Sequence, residues 1–170
     1  MAEAGWARPD AQVFQAVRVD EGRFDLLGEL AYDVHRKNEF SQLWAKRCVC
    51  FCLHRSGSAV ACGWYNLERC LYAYLPFHLQ DEEAYLFNFR TLPRERGRDY
   101  AVYLRLLMID HLERLGCTSI YSITEIFNTP AMRLKEKVGA CPIRSFVYVN
   151  LFGLYRRNIE IGAGKRDDAG

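Results

Sequence analysis

The chain has 170 residues and a mass of 19.7 kDa, half of it apolar and 26% charged, which suits one domain with a full core and excludes wholesale disorder. Its 23 basic and 21 acidic residues balance to +2, so it lacks the basic excess of a dedicated nucleic-acid binder. No apolar run approaches the roughly 18 residues of a membrane span, so no membrane partner is expected.

At the N-terminus, MAEAGWARPD lacks the basic-then-apolar pattern of a signal peptide. Residues 23–35 carry Phe24, Leu27, Leu30 and Ala31 at helical spacing and predict a first helix. RCVCFCLH, residues 47–54, reads as a strand. Arg55-Ser56-Gly57-Ser58 is the turn into a second strand over 59–65. Cys48, Cys50 and Cys52 alternate on the first of these strands. Zinc takes thiolate ligands, but alternate strand residues stand about 6.5 Å apart and converge poorly on one ion. Buried packing without metal is the expectation, because cysteine behaves as a small hydrophobe. With no secretion signal, the seven cysteines predict reduced thiols in a cytoplasmic protein.

Residues 71–75 read as a short strand or an irregular segment. Residues 84–91, AYLFNFRT, predict a strand that stops near Pro93, since proline cannot donate to a ladder. Residues 100–115 carry the strongest helical pattern, with Ala101, Leu104, Met108, His111, Leu112 and Leu115 on one face and Gly116 as the stop. A strand is predicted over 119–124. A helix follows over 128–138, with Asn128 as N-cap and Gly139 at its end. SFVYVNLF, residues 145–152, predicts a last strand. Residues 1–161 then form one domain, and the tail 162–170 is expected to be loose. The strand-helix-strand unit over 84–124 calls for a parallel, right-handed crossover, whereas the earlier hairpin is antiparallel. The fold class is α/β, with a mixed central sheet and helices on both faces.

The most informative junction is LPRERGRDYAVYLRLL, residues 92–107. A strand ends, basic residues and a glycine follow, and a long helix begins. Free backbone N–H groups and the dipole of a helix start bind phosphate, and Arg94, Arg96 and Arg98 add positive charge. The plainer reading is a basic loop in which the Asp99 carboxylate caps the helix.

That segment resembles the acyl-CoA loop of the GNAT superfamily of N-acetyltransferases, Arg/Gln-x-x-Gly-x-Gly/Ala after the central strand. Here it is Arg96-Gly97-Arg98-Asp99-Tyr100-Ala101, with Asp99 in place of the middle glycine. NTPAMRLKEKVGA, residues 128–140, resembles the superfamily's Asn-x-x-Ala helix, and YVNLFG sits where many members carry a closing strand. The element order matches from about Arg47 to Phe152. The resemblance implies acetyl-CoA as co-substrate and an amine acceptor, either a small molecule or a protein. It implies that the pantetheine arm inserts between two diverging parallel strands and bonds to main-chain groups near Phe89, Arg90 and Thr91. The pyrophosphate would lie on the N–H groups of Gly97, Arg98, Asp99, Tyr100, Ala101 and Val102, with Arg96 beside it, and Asn128 would bond the cofactor arm.

The superfamily's usual base aligns with Tyr85, and Glu83, two residues earlier on the same strand face, is the alternative base. Its other reading is a solvated acid at a strand start. The usual acid aligns with Lys135, whose other reading is a solvated helix face in the run Arg133, Lys135 and Lys137. Tyr72, Tyr74, Tyr85, Phe87, Phe89, Tyr121 and Tyr148 are candidates for an aromatic acceptor pocket or for core. The histidines at 35, 54, 78 and 111 show no metal spacing, and His111 suits a hydrogen-bonded structural role. Because Tyr85, Asp99 and Lys135 depart from the family pattern, an inactive module of the same fold that binds acyl-CoA or a protein is the alternative function. A structural domain without cofactor is the third. The acceptor's identity and a homodimer stay open.

Overall fold

In chain order the strands are β1 (Phe14–Val19), β2 (Val49–Arg55), β3 (Ser58–Asn66), β4 (Arg69–Cys70), β5 (Phe77–His78), β6 (Glu83–Thr91), β7 (Ser119–Tyr121), β8 (Arg144–Leu151) and β9 (Tyr155–Ala163). The helices are α1 (Val34–Ala45), α2 (Tyr100–Arg114) and α3 (Thr129–Lys137). This computed structural model describes residues 14–152 and 155–163; the segment MAEAGWARPD and the chain after 163 lie outside the described residues.

Alternation along β2 and β3 divides the core into two layers. Cys50, Cys52, Cys62 and Trp64 point to one face, where Phe40 and Trp44 of α1 cover them. Leu53, Ala61, Tyr65 and, from β6, Leu86 point to the other, against Leu104, Met108 and Leu112 of α2. The alternating cysteines are therefore packing residues, as expected from their small apolar side chains. Each buried leucine of this kind contributes about 1.5–3 kcal/mol.

The five-stranded sheet runs β1-β2-β3-β6-β7. The first four strands pair antiparallel, and β6 pairs with β7 in parallel through Glu83↔Ser119, Ala84↔Ile120 and Tyr85↔Tyr121. Pairing stops there. From Leu86 onward β6 is bonded to β3 alone, so the two parallel strands part at their C-terminal ends. The predicted strand over 119–124 is thus three residues long in the sheet, and Ser122 leaves it.

Three expectations are corrected. Residues 23–35 are not one helix but two 3-10 turns, Phe24–Leu26 and Gly28–Ala31. Gly28 at φ 50 breaks the path, and Asp33 caps α1 by accepting the Arg36 N–H at 2.7 Å. Leu27, Leu30 and Ala31 are buried all the same, so the apolar spacing marks a core face without an α-helix. Gly162 and Ala163 belong to β9 rather than to a loose tail. Among the described residues the closing strand β8 pairs with β9 and with no strand of the main sheet. Among the described residues no helix is long and apolar enough to cross a membrane.

Candidate active site

The start of α2 is shaped by two left-handed residues. Gly97 has φ 77 and Asp99 has φ 57, a region that glycine enters freely and other residues at a cost. This corrects the capping expectation. The Asp99 side chain accepts no backbone N–H; its carboxylate instead pairs with Lys137 of α3 at 2.5 Å. The N–H groups of the first turn, through Tyr100, Ala101 and Val102, are left without a side-chain cap. Of the three loop arginines, Arg94 is held by Glu29 in a two-bond clasp of 2.5 and 2.7 Å. Arg98 lies 3.3 Å from Glu95, and its hydrogen bond to Tyr100, with Glu95, holds its guanidinium above the usual range. Arg96 is exposed and has no ion pair among the described residues.

Where β6 parts from β7, it also bulges. Trp64 faces Phe87 while Cys62 faces Arg90, so three residues of β6 span two of β3, and Asn88 takes φ 52. Glu39 of α1 holds this bulge. It accepts from Asn88 at 3.2 Å, Arg90 at 2.8 Å and Arg36 at 2.8 Å. Burial pushes the Glu39 carboxyl up, but Arg90, Arg36 and Asn88 outweigh it and hold it below the usual carboxylate range. The Arg90 side chain is thereby committed to Glu39. Phe89 turns to the α2 face. Its ring lies so close over Gly63 that a Cβ there would stand 2.6 Å from Phe89 Cε1.

The sheet's opposite face carries Glu83, Tyr85 and Phe87. Glu83 accepts from the Tyr121 hydroxyl at 2.9 Å and from the Gln80 N–H at 2.9 Å, so it is tied to the last paired residue of β7. Tyr85 stacks on Phe87 with ring centres 5.1 Å apart. Burial drives the Tyr85 phenol far above its ordinary value. Tyr72, Tyr74 and Tyr148 form a connected run, with centroids 5.6 and 4.3 Å apart, and Phe77 meets Tyr121 at 6.1 Å. These aromatic residues form three separate clusters, and the bulge sends Phe89 to the other side of the sheet.

Lys135 is not on a solvated helix face. It is half-buried and donates to the Ser122 carbonyl at 3.2 Å; burial, with nearby Arg105, pulls its ammonium down to about 8. Asn128 caps α3 by accepting the Ala131 N–H at 3.3 Å. Sequence reasoning missed Arg105. It donates to the Ser122 hydroxyl at 2.8 Å and lies 5.2 Å over the Phe89 ring. Burial draws its guanidinium down to about 10. The signal was present: position 105 falls four after Ala101 and three before Met108, on the face assigned to the core. His111 meets the Tyr65 hydroxyl at 3.3 Å. Among the described residues no His, Cys, Asp or Glu cluster has the form of a metal site.

Residues 18–140 match the family model described as the acetyltransferase (GNAT) family. The fold is similar to that of an aminoglycoside 6'-N-acetyltransferase from Acinetobacter haemolyticus, at 16% identity and TM-score 0.62 over 81% of this chain and 97% of that one. It is similar to an aminoglycoside N-acetyltransferase solved in complex with CoA, at 13% identity and TM-score 0.62 over 81% and 94%. A ribosomal-protein-alanine N-acetyltransferase from Brucella melitensis biovar Abortus aligns at 13% identity and TM-score 0.58 over 81% and 99%. No curated protein sequence gives a significant match.

Proposed function

Because this chain belongs to the GNAT acetyltransferase family, we propose that it transfers an acetyl group from acetyl-CoA directly to a primary amine in a ternary complex. The observation that carries this reading is the uncapped start of α2, beside the gap that opens where β6 leaves β7. Both halves of the donor meet suitable groups there. The first-turn N–H groups and Arg96 receive phosphate. The unpaired edge of β6 at Phe89, Arg90 and Thr91 receives the amides of the pantetheine arm, and Asn128 adds a donor from the far side. When bound, acetyl-CoA supplies an electrophilic thioester carbon and a thiolate leaving group.

The chain's own groups then manage the protons. Glu83, with Tyr121 hydrogen-bonded to it, accepts the amine proton directly or through water as the N–C bond forms. Main-chain N–H groups at the Asn88 bulge stabilise the oxyanion. Lys135 donates a proton to sulfur as the C–S bond breaks. An ammonium near 8 is matched to a thiol of about 8.5, close to the optimum for proton transfer. Glu83 and the Tyr121–Tyr85 face hold the acceptor while α2 and α3 hold the donor, and positioning supplies much of the rate. The amine acceptor class is supported by the structural neighbours, whose names specify N-acetylation of aminoglycosides and of a ribosomal-protein alanine. The balanced charge argues against a nucleic-acid partner.

Thiol release from acetyl-CoA across a panel of primary amines tests this. Release that depends on an amine, and that drops at least tenfold in Lys135→Met and Glu83→Gln, is the expected result. The buried Tyr85 at the usual base position favours one rival, a coenzyme-binding module without turnover. Tight coenzyme binding with no thiol release from any amine would select it.

A further inference from the structure

Arg105 enters the reaction above only through its charge, which helps to hold Lys135 low, yet the fold keeps that charge in an unusual place. The residue is 5% exposed. Its Nε is buried without a hydrogen-bond partner among the described residues. Its guanidinium has one side-chain bond, to the Ser122 hydroxyl, and rests on the Phe89 ring. No carboxylate among the described residues pairs with it. Lys135 brings a second cation to the same spot by donating to the Ser122 carbonyl. A buried charge is normally paired, and a buried and a half-buried cation that meet at one serine without an acid among the described residues leave the pairing to a ligand.

The place of this cluster limits what the ligand is. Ser122 is the first residue beyond the Tyr85↔Tyr121 pair, and Phe89 stands on the opposing strand, so the cluster sits in the mouth of the gap. Arg105 lies five residues into α2, about 7.5 Å along its axis from the first residue. Its guanidinium is held at Ser122 and Phe89, which lie outside the helix start assigned to phosphate. A planar carboxylate takes two parallel N–H bonds from one edge of a guanidinium. Here Nε–H is free, and the neighbouring N–H has only a serine hydroxyl to exchange.

We propose that Arg105, with Ser122, is a carboxylate-binding site in the gap between β6 and β7, and that a substrate of this protein places a carboxylate there. The carboxylate comes from one of two sources: the far end of a dicarboxylic acyl group on the coenzyme, or an acceptor of the amino-acid class. The choice between sources rests on the acyl-CoA reading above; the site itself does not.

Calorimetric titration of the full chain separates these. One arm compares succinyl-CoA with acetyl-CoA. A second, with CoA present, compares amino acids with their carboxamides. A third, without coenzyme, compares succinate with succinamide. The expected result is at least a tenfold preference for the carboxylate in the third arm and in one of the first two, falling close to one in Arg105→Gln. Ser122→Ala, which removes only the hydroxyl, keeps the test valid should Arg105→Gln not fold; it is expected to change the preference severalfold. No preference in any arm overturns the proposal. So does a preference that Arg105→Gln and Ser122→Ala leave intact, or equal weakening of succinyl-CoA and acetyl-CoA, which would assign the guanidinium to the coenzyme's own anions. Failure of every CoA species to bind, with succinate still preferred in the third arm, would defeat the donor reading and keep the site.

Discussion

Asp99 carries a left-handed backbone at φ 57 and spends its carboxylate on Lys137 rather than on the helix. A non-glycine residue there costs roughly 1–2 kcal/mol, and the exposed ion pair returns about 0–1 kcal/mol. Asp99→Gly removes both, a net gain of about 0–2 kcal/mol, from which the greater freedom of glycine in the unfolded chain takes back roughly 0.5–1 kcal/mol. It also removes a negative charge from the phosphate-facing turn. Because Lys137 already offsets part of that charge, acetyl-CoA affinity is expected to rise about threefold to tenfold, equivalent to roughly 0.7–1.4 kcal/mol. Titration of both proteins at one low salt concentration checks this; equal affinities would mean that the carboxylate is electrically remote from the ligand.

Lys135 gives a second test at the same scale. Its ordinary value is 10.5 and burial lowers it to about 8 in the folded chain. Between those values the unfolded chain binds more protons than the folded one, so this residue makes stability rise as pH climbs from about 8 to 10.5. Lys135→Met lacks that contribution. Its stability relative to the wild type should fall across this range when denaturant midpoints are compared at pH 7.5 and 10. A gap that does not change with pH would show an ordinary, solvated lysine.

The elements divide by how strongly their residue types dictate them. The strand over 84–91 and the helix over 100–115 follow the bare sequence, because nearly every apolar position in them reaches the core. Asn128 and Gly139 mark α3 for local reasons, an accepted N–H and a left-handed end at φ 73. By contrast α1, VHRKNEFSQLWA, buries only Phe40 and Trp44. So polar a segment has no visible periodicity, and the apolar spacing just before it drew the predicted helix one element too early. The bulge at Asn88 was equally hidden, since it is held from outside by Glu39. Glu39→Ala leaves Asn88 and Arg90 without their shared acceptor and is expected to cost about 1–3 kcal/mol. Hydrogen exchange at the amides of Asn88, Phe89 and Arg90 should quicken in that variant. Unchanged exchange would show that the β3 ladder alone fixes the bulge. Gly63→Ala pushes the Phe89 ring off the sheet and is expected to destabilise by about 1–3 kcal/mol in thermal unfolding, through overpacking.

For the molecule as a whole, the family and the mixed sheet were legible because the chain order of strands and helices constrains the topology. The site was legible only in part. The loop at residues 96–101 is visible as residue types, but the left-handed state of Asp99 and the commitment of Arg90 to Glu39 depend on contacts from distant elements. Arg105 shows the same limit in another form, a core position filled by a charge whose meaning lies in what the neighbouring strands leave unpaired.

The central claim is that the uncapped turn of α2 and the opening between β6 and β7 together form one acetyl-CoA site per chain. Ligand at a hundred times its dissociation constant adds about 2.7 kcal/mol to the folded state, several degrees in melting temperature for a chain of this size. The direct measurement is calorimetric titration of the full chain with acetyl-CoA, repeated with Gly97→Val, which places a β-branched side chain at φ 77 in the turn. One site per wild-type chain, and at least tenfold weaker binding in the variant, is the predicted result. No heat of binding at millimolar acetyl-CoA, or equal affinity in the two proteins, would contradict the account.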